Sequence, residues 1–541
     1  MIVERGRVTG LRRGEASAAI PGYELAWRGV AYYPGARPGP AAIAAALSGA
    51  GLDPMVDAAR RLRGNFFLSI RDVVSGRTVA FTDSGGMFDA FVSDARIATS
   101  FLQLAEAIGA QRADIDHAAV VEFLDLGKIY EGRTLLPKIR RLLPGTVYEL
   151  RDGEQPIIHE LGMPGIDAGP DAGFTLERFF QEFASSLAGL NVSVDLSGGS
   201  DTRLVAAMLA RSLPFECAVS GTAKSSDVEL AAEVARALRR PLHVTIHDVS
   251  DVGDLAGELF DAADGNSDHL IGHRLRQLAR ARRERHVDVA VGGQGGELLK
   301  DFFWLHDFPL YRWRTPHFER VFDTRFRPVA FPPSLLADRL APHAAEVRPR
   351  ILAAMRRRRM ATNTETYDRV YYEMRMAVGA AHAISVNDNY VPFVTPLLDP
   401  LVARLGYSLP RRDRFFNRYH RRLITDASLA VARAPSSDTH VTRMSLSSRP
   451  RDELRDAPAY VLDKVRRLRT KVGLRAGRGG GYPALDDPAL IPAARSSDAF
   501  QRAVGGLVSA GVLSPAAQGD LPDRYVGTVM TLGMLFERLD G

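Results

Sequence analysis

Cysteine is almost absent: one residue, Cys217, in 541. A lone thiol excludes an internal disulfide and any multi-thiolate metal centre, and it fits a reducing compartment. Lysine is scarce too, with six residues against 64 arginines. That skew, beside abundant Ala and Gly, reflects GC-rich coding more than a design for binding anions. No run of eighteen apolar residues occurs, and the opening Met1-Ile-Val-Glu-Arg-Gly-Arg7 is followed by no apolar stretch. Neither a membrane span nor a secretory signal is therefore expected, and the expected location is the cytoplasm.

What is present is ordinary globular composition. Apolar residues make up 46% and charged residues 25%, far from the low-hydrophobicity, high-charge regime of disorder. The length corresponds to about three to four domains' worth of chain. Net charge is +6, unevenly spread: between His440 and Gly480, nine arginines and two lysines face only Asp452, Glu453, Asp456 and Asp463. Such a stretch can steer an acidic ligand or nucleic acid, but a solvated helical face is the reading adopted, and no nucleic-acid partner is expected.

Residues 1–150 read as an α+β domain, with short strands at 65–70, 77–82 and 90–93 and helical patches at 40–47 and 118–126. Pro156, Pro164 and Pro170 alternate with Gly162, Gly165 and Gly169, which gives residues 151–172 the composition of a linker. Beyond it, over 173–541, the pattern changes to α/β. Apolar strands at 192–196, 215–219, 242–246 and 287–291 alternate with helices at 201–211, 227–238 and around 273–283, the pattern of a doubly wound parallel sheet. Ligands bind such sheets at the carboxyl ends of the strands. From about Thr366 the chain reads as mostly helical, broken by an Arg- and Gly-rich loop at 475–483.

The segment Val194-Asp-Leu-Ser-Gly-Gly-Ser-Asp-Thr-Arg-Leu204 leaves the first of these strands and enters a helix. Backbone N–H groups and a helix N-terminus converge there, glycines allow a polyphosphate to approach, and Ser197, Ser200 and Thr202 add hydroxyls. A tight turn capped by Ser200 would account for the pair of glycines as well. The Gly-x-x-x-x-Gly-Lys-[Ser/Thr] loop of kinase-type nucleotide sites is absent.

Ser-Gly-Gly-x-Asp-[Ser/Thr] resembles the pyrophosphate loop of the N-type ATP pyrophosphatases. Its company is more specific. Asp227-x-Glu229 follows Ser225 and Ser226, and Val289-Ala-Val-Gly-Gly-Gln-Gly-Gly-Glu-Leu-Leu299 follows a later strand. Leu62-Arg-Gly-Asn-Phe-Phe-Leu-Ser-Ile-Arg-Asp72 and residues 122–147 precede the loop, and Pro396-Leu-Leu-Asp-Pro-Leu-Val402 comes after it. In this order they resemble the asparagine synthetase family, over nearly the whole chain. The resemblance implies a glutaminase-type (Ntn-type) amino-terminal domain and a synthetase domain that cleaves ATP between its α- and β-phosphates and adenylates a carboxylate. It also implies that Leu196, Ser197, Gly198, Gly199, Ser200, Asp201, Thr202 and Gly293 hold ATP, with Mg²⁺ on Asp201 and Glu297.

Several positions depart from that pattern. The family's glutaminase uses Cys at position 2 as nucleophile; here Ile2 stands in its place and Cys217 falls in a strand of the other domain. A lost glutaminase is expected, as in the related β-lactam synthetases and lasso-peptide cyclases, which join a carboxylate to an amine of the substrate. Gln294 occupies the place of a Glu or Tyr of the amine-handling site, and an amide is no general base. Asp388 lies over the acidic partner of that site, and Arg443 is the cation nearest to the family's late catalytic Lys. The histidines, His269 and His273 among them, read as structural. The expectation is thus an ATP-dependent carbon–nitrogen ligase, a cyclase or tailoring amide synthetase. Its substrate would be a small molecule or peptide bearing a carboxylate and an amine, with a precursor peptide or pathway protein as partner. An asparagine synthetase fed by free ammonia, a non-catalytic nucleotide-binding scaffold and a tRNA-modifying enzyme are the alternatives.

Overall fold

The computed structural model describes residues 1–4, 7–12, 14–49, 51–151, 155–163, 173–222, 225–300, 316–437 and 487–540. Its amino-terminal part stacks two antiparallel sheets of six and five strands. The larger is built on Tyr23–Tyr32 and Arg63–Asp72, paired from Tyr23 with Asp72 to Tyr32 with Arg63. Alternation along the second strand sorts its side chains by face. Phe66, Leu68 and Ile70 bury against helices Pro40–Leu47 and Pro54–Arg61, while Phe67 faces the smaller sheet with Val3, Phe91 and Ile97. Helices Phe101–Ala107 and His117–Leu126 contribute Phe101, Leu104, Phe123 and Leu124 to that inner core. The order is therefore helix, sheet, sheet, helix.

One boundary differs from the sequence reading. Strand Ile157–Glu160 pairs with Thr146–Leu150, Thr146 opposite Glu160, so the sheet extends into the stretch of linker composition; residues 164–172 lie outside the described residues. Ile157–Glu160 is a strand because Thr146–Leu150 offers it an edge, which linker composition does not reveal.

The second part holds a five-stranded, fully parallel sheet in the order Leu242–Ile246, Glu216–Gly221, Val192–Asp195, Val289–Val291, Phe393–Val394. One face of its inner strands is apolar through Val192, Val194, Cys217, Val219, Val289 and Val291, and the small residues Ser193, Ala218 and Ala290 of the other face are buried as well, as expected of parallel strands covered by helices. Helices Ser200–Leu209, Ser226–Leu238 and Leu270–Glu284 make the crossovers. Chain order reverses between Val192–Asp195 and Val289–Val291, which opens a crevice at their carboxyl ends. The helical part begins earlier than Thr366, at Ala341–Arg357 or before, and it contains the fifth strand, too short to be visible as a pattern. The loop at 475–483 lies outside the described residues. No described helix is long and apolar enough to cross a membrane.

The two parts share a core: Phe67 and Met87 cluster with Tyr372, Ala377 and Ile384. Polar contacts cross the same seam. Arg28, on Tyr23–Tyr32, reaches Asp388 Oδ2 at 3.1 Å, the Ser385 carbonyl at 2.9 Å and Asn389 Oδ1 at 2.6 Å. Asn65 Oδ1 accepts from the Thr395 N–H at 2.8 Å, next to the fifth strand. Asp264 accepts from Ser100 Oγ and the Phe101 N–H, both at 2.5 Å, and so caps a helix of the other part.

Two expectations follow. Arg28→Ala should cost about 3–5 kcal/mol, because Asp388 is left buried without its cation, whereas Arg28→Met combined with Asp388→Leu should cost much less; urea unfolding measures both, and equal losses would contradict the pairing. A chain truncated to begin at Gly173 bares the apolar seam and should aggregate. Recovery of a soluble, monodisperse species by size-exclusion chromatography would show that the amino-terminal part is dispensable.

Candidate functional site

Leu196 continues the central strand, its N–H donating to Ala218 at 2.8 Å. The chain then turns through Ser197, Gly198 and Gly199 into helix Ser200–Leu209, and Gly199 caps that helix with no side-chain hydrogen bond. Thr202 Oγ1 ties the turn together, accepting the Ser197 N–H at 3.1 Å and lying 3.0 Å from Ser197 Oγ. Gly199 donates its N–H to Ser197 Oγ at 3.2 Å. Asp227, from the start of Ser226–Leu238, fastens the Gly198 N–H at 2.9 Å, which gives the Asp227-x-Glu229 motif a structural part. On its other side the Gly198 carbonyl accepts from the Ser437 N–H at 2.9 Å and Ser436 Oγ at 3.2 Å. Buried Arg203 holds the approach to those serines through the carbonyls of Val431, Ala434 and Pro435.

The second loop follows Val289–Val291 and lies directly on the first. A Cβ on Gly293 would stand 2.7 Å from the Thr202 backbone, and one on Gly296 2.2 Å from Asp201 Oδ1; only hydrogen fits at either place. Gln294 is exposed between them. Glu297 is the second residue of the turn Gly296–Leu299 and accepts from Tyr371 Oη at 2.7 Å. Tyr371 arrives on a π-helical turn, Val370–Met376, an insertion of the kind that re-aims side chains at functional sites. Burial, reinforced by Glu297, pushes its hydroxyl well above the ordinary tyrosine range.

Asp201 is met from two further elements. Lys300 Nζ lies 2.7 Å from Oδ2 and His420 Nε2 lies 2.9 Å from Oδ1. Burial alone would raise this carboxyl, but Lys300 and His420 hold it far below the usual carboxylate range. Lys300, His420 and Tyr371 were not singled out in the sequence, where nothing local marks them.

Of the residues expected at the amine side, Gln294 stands on the second loop and Asp388 does not join the group. Asp388 is 1% exposed and pairs with Arg28 at the seam; burial pushes its carboxyl up to about 6 although Arg28 opposes the shift. Arg443 and the basic stretch around it lie outside the described residues. His269 bonds Thr531 Oγ1 at 2.9 Å and His273 lies 3.4 Å from Asp251; burial lowers both histidines. A cleft of about 1180 Å³ lined by Arg112, His117, Arg339 and Phe536 contains none of the loop residues, so topology and motif, not cavity size, locate the site.

Asp201 and Glu297 suit Mg²⁺ in kind, since that ion is satisfied by one or two carboxylates with phosphate oxygens and water. They stand on loops in contact through Gly296. No group of three or more His, Cys, Asp or Glu that could hold a metal occurs among the described residues, so an ion here depends on phosphate ligands.

Residues 186–446 match the family model of asparagine synthase. The matched segment contains both loops, Tyr371, Asp388 and His420. No curated protein matches the chain. Members of this family are ATP-dependent amide-forming ligases, which is the general class the match supports. Residues 186–446 are thus a domain of the asparagine synthase family.

Proposed function

We propose that the chain adenylates a substrate carboxylate and joins it to an amine, as a cyclase or tailoring amide synthetase. The observation that carries this reading is the Ser197–Thr202 turn held against the Gly293–Glu297 loop at the reversal point of the parallel sheet. A carboxylate oxygen of the substrate bonds to the α-phosphorus while the bond from that phosphorus to the α,β-bridging oxygen breaks, and pyrophosphate leaves with the electron pair. The amine nitrogen then attacks the acyl carbon, AMP departs, and the amine gives up a proton.

The chain's part is positioning. The start of helix Ser200–Leu209 faces the departing pyrophosphate, while the N–H groups of Ser197, Gly198 and Gly199 hold the turn in shape. Mg²⁺, held by Asp201 and Glu297, would supply charge compensation for the phosphates. Leu196, Gly198 and Ser200 are buried, which keeps the back of the site dry and protects an acyl-adenylate from hydrolysis. The amine comes from the substrate: the only thiol, Cys217, lies inside the parallel sheet, where burial pushes it up to about 12, so it is no thiolate nucleophile. A buried, protonated thiol also suits the cytoplasm, and a peptide or pathway intermediate carrying both groups is the substrate class proposed.

Exchange of labelled pyrophosphate into ATP, run with Mg²⁺ and a panel of carboxylates, tests the chemistry; ADP as sole product, or no exchange with any carboxylate, would replace it with a kinase or a scaffold. Asp201→Asn should keep the helix start and lower exchange about a hundredfold or more. Gly296→Ala should do likewise by driving the loops apart, and full exchange in either variant would sink the assignment. Glutamine incubated with the protein should release no glutamate above background.

A further inference from the structure

Lys300 is one of three lysines among the described residues, with Lys128 and Lys138, and its ammonium ends at the phosphate loop. It directly follows the turn Gly296–Leu299, to which its N–H is bonded through the Glu297 carbonyl at 3.4 Å. The second loop thus fixes where the side chain starts, and Asp201 fixes where it ends, 2.7 Å away. The side chains of this pair are 14% and 16% exposed. They are enclosed but not sealed, at the mouth of the crevice.

A partly buried ion pair is weak evidence of a stabilising role, and Asp201 has other support: the imidazole of His420 at 2.9 Å and its place in the first turn of a helix, where the macrodipole favours an anion. An ammonium carries three N–H donors and can serve a carboxylate and a phosphate oxygen together. We propose that Lys300 is a phosphate-binding residue, which Asp201 holds at the loop and which contacts the β- and γ-phosphates of the nucleotide. Resting on the adenylating reading above, it adds a protein cation to the pyrophosphate side of the site.

Calorimetric titration of the full chain with inorganic pyrophosphate, ATP and AMP, in EDTA so that no metal contributes, tests this. Lys300→Met should weaken pyrophosphate and ATP about ten- to a hundredfold, the worth of one charge-assisted hydrogen bond, and leave AMP unchanged. Where Lys300→Met is unstable, Lys300→Gln, which bonds Asp201 without charge, reads the same loss. Asp201→Asn should bind pyrophosphate more tightly than wild type, and adding Lys300→Met should abolish that gain, a coupling that mere loss of repulsion would not produce. Undiminished pyrophosphate binding in the lysine variants, or a gain that survives in the double variant, overturns the role of Lys300 alone. A wild type that binds neither ATP nor pyrophosphate overturns the adenylating reading with it.

Discussion

Asp201 carries its charge where neighbours bury it, and such a charge persists only where cations or hydrogen bonds meet it. Lys300 from the second loop and His420 from helix Arg418–Ala427 do so. Two elements far apart in the chain are thereby pinned to the first turn of Ser200–Leu209. Gly296 sets the spacing, since any side chain there would displace the carboxylate. Without this convergence the two loops would still be glycine-rich turns on paired strands, but the Asp201 carboxylate between them would lack its compensating partners.

The amino-terminal part bears on the site through packing. Arg28 holds the end of helix Ala377–Asp388, and Asn65 holds Thr395 just past the fifth strand. That strand pairs with Val289–Val291, which leads into the second loop. A domain with no thiol of its own therefore supports the strand next to the one from which the Gly293–Glu297 loop emerges. Its retention needs no glutamine chemistry, only the shared apolar core and the polar ties across the seam, those of Arg28, Asn65 and Asp264 among them.

Much of this was legible in the sequence because it is local. The Ser-Gly-Gly-Ser-Asp-Thr turn, the alternating strands and the glycines of the second loop announce themselves within ten residues, and the helix at 40–47 was read to its exact bounds. What was not legible is long-range. Lys300, His420 and Tyr371 carry no motif; their meaning arises only when separate helices and loops meet. Phe393–Val394 has two residues and no room for a period, and Ile157–Glu160 is a strand because Thr146–Leu150 offers an edge. Asp388 was placed by register against a motif, and a register carries no information about Arg28, 360 residues away.

The amine side of the reaction can be weighed on the same terms. A general base is worth about 10²–10⁴ in rate, whereas orientation of two reactants can supply effective concentrations of about 10⁵ M or more. Gln294 offers no base, and Asp388 is buried against Arg28. An acyl-adenylate, however, is activated before the amine arrives, so the second step asks mainly for a dry, shaped approach and for a nitrogen held beside the acyl carbon. An amine tethered to the same molecule meets that demand with little help from the protein, while free ammonia must first be captured and oriented; both must lose a proton. On the adenylating reading proposed above, orientation supplied by the substrate itself would therefore suit an intramolecular amine better than ammonia.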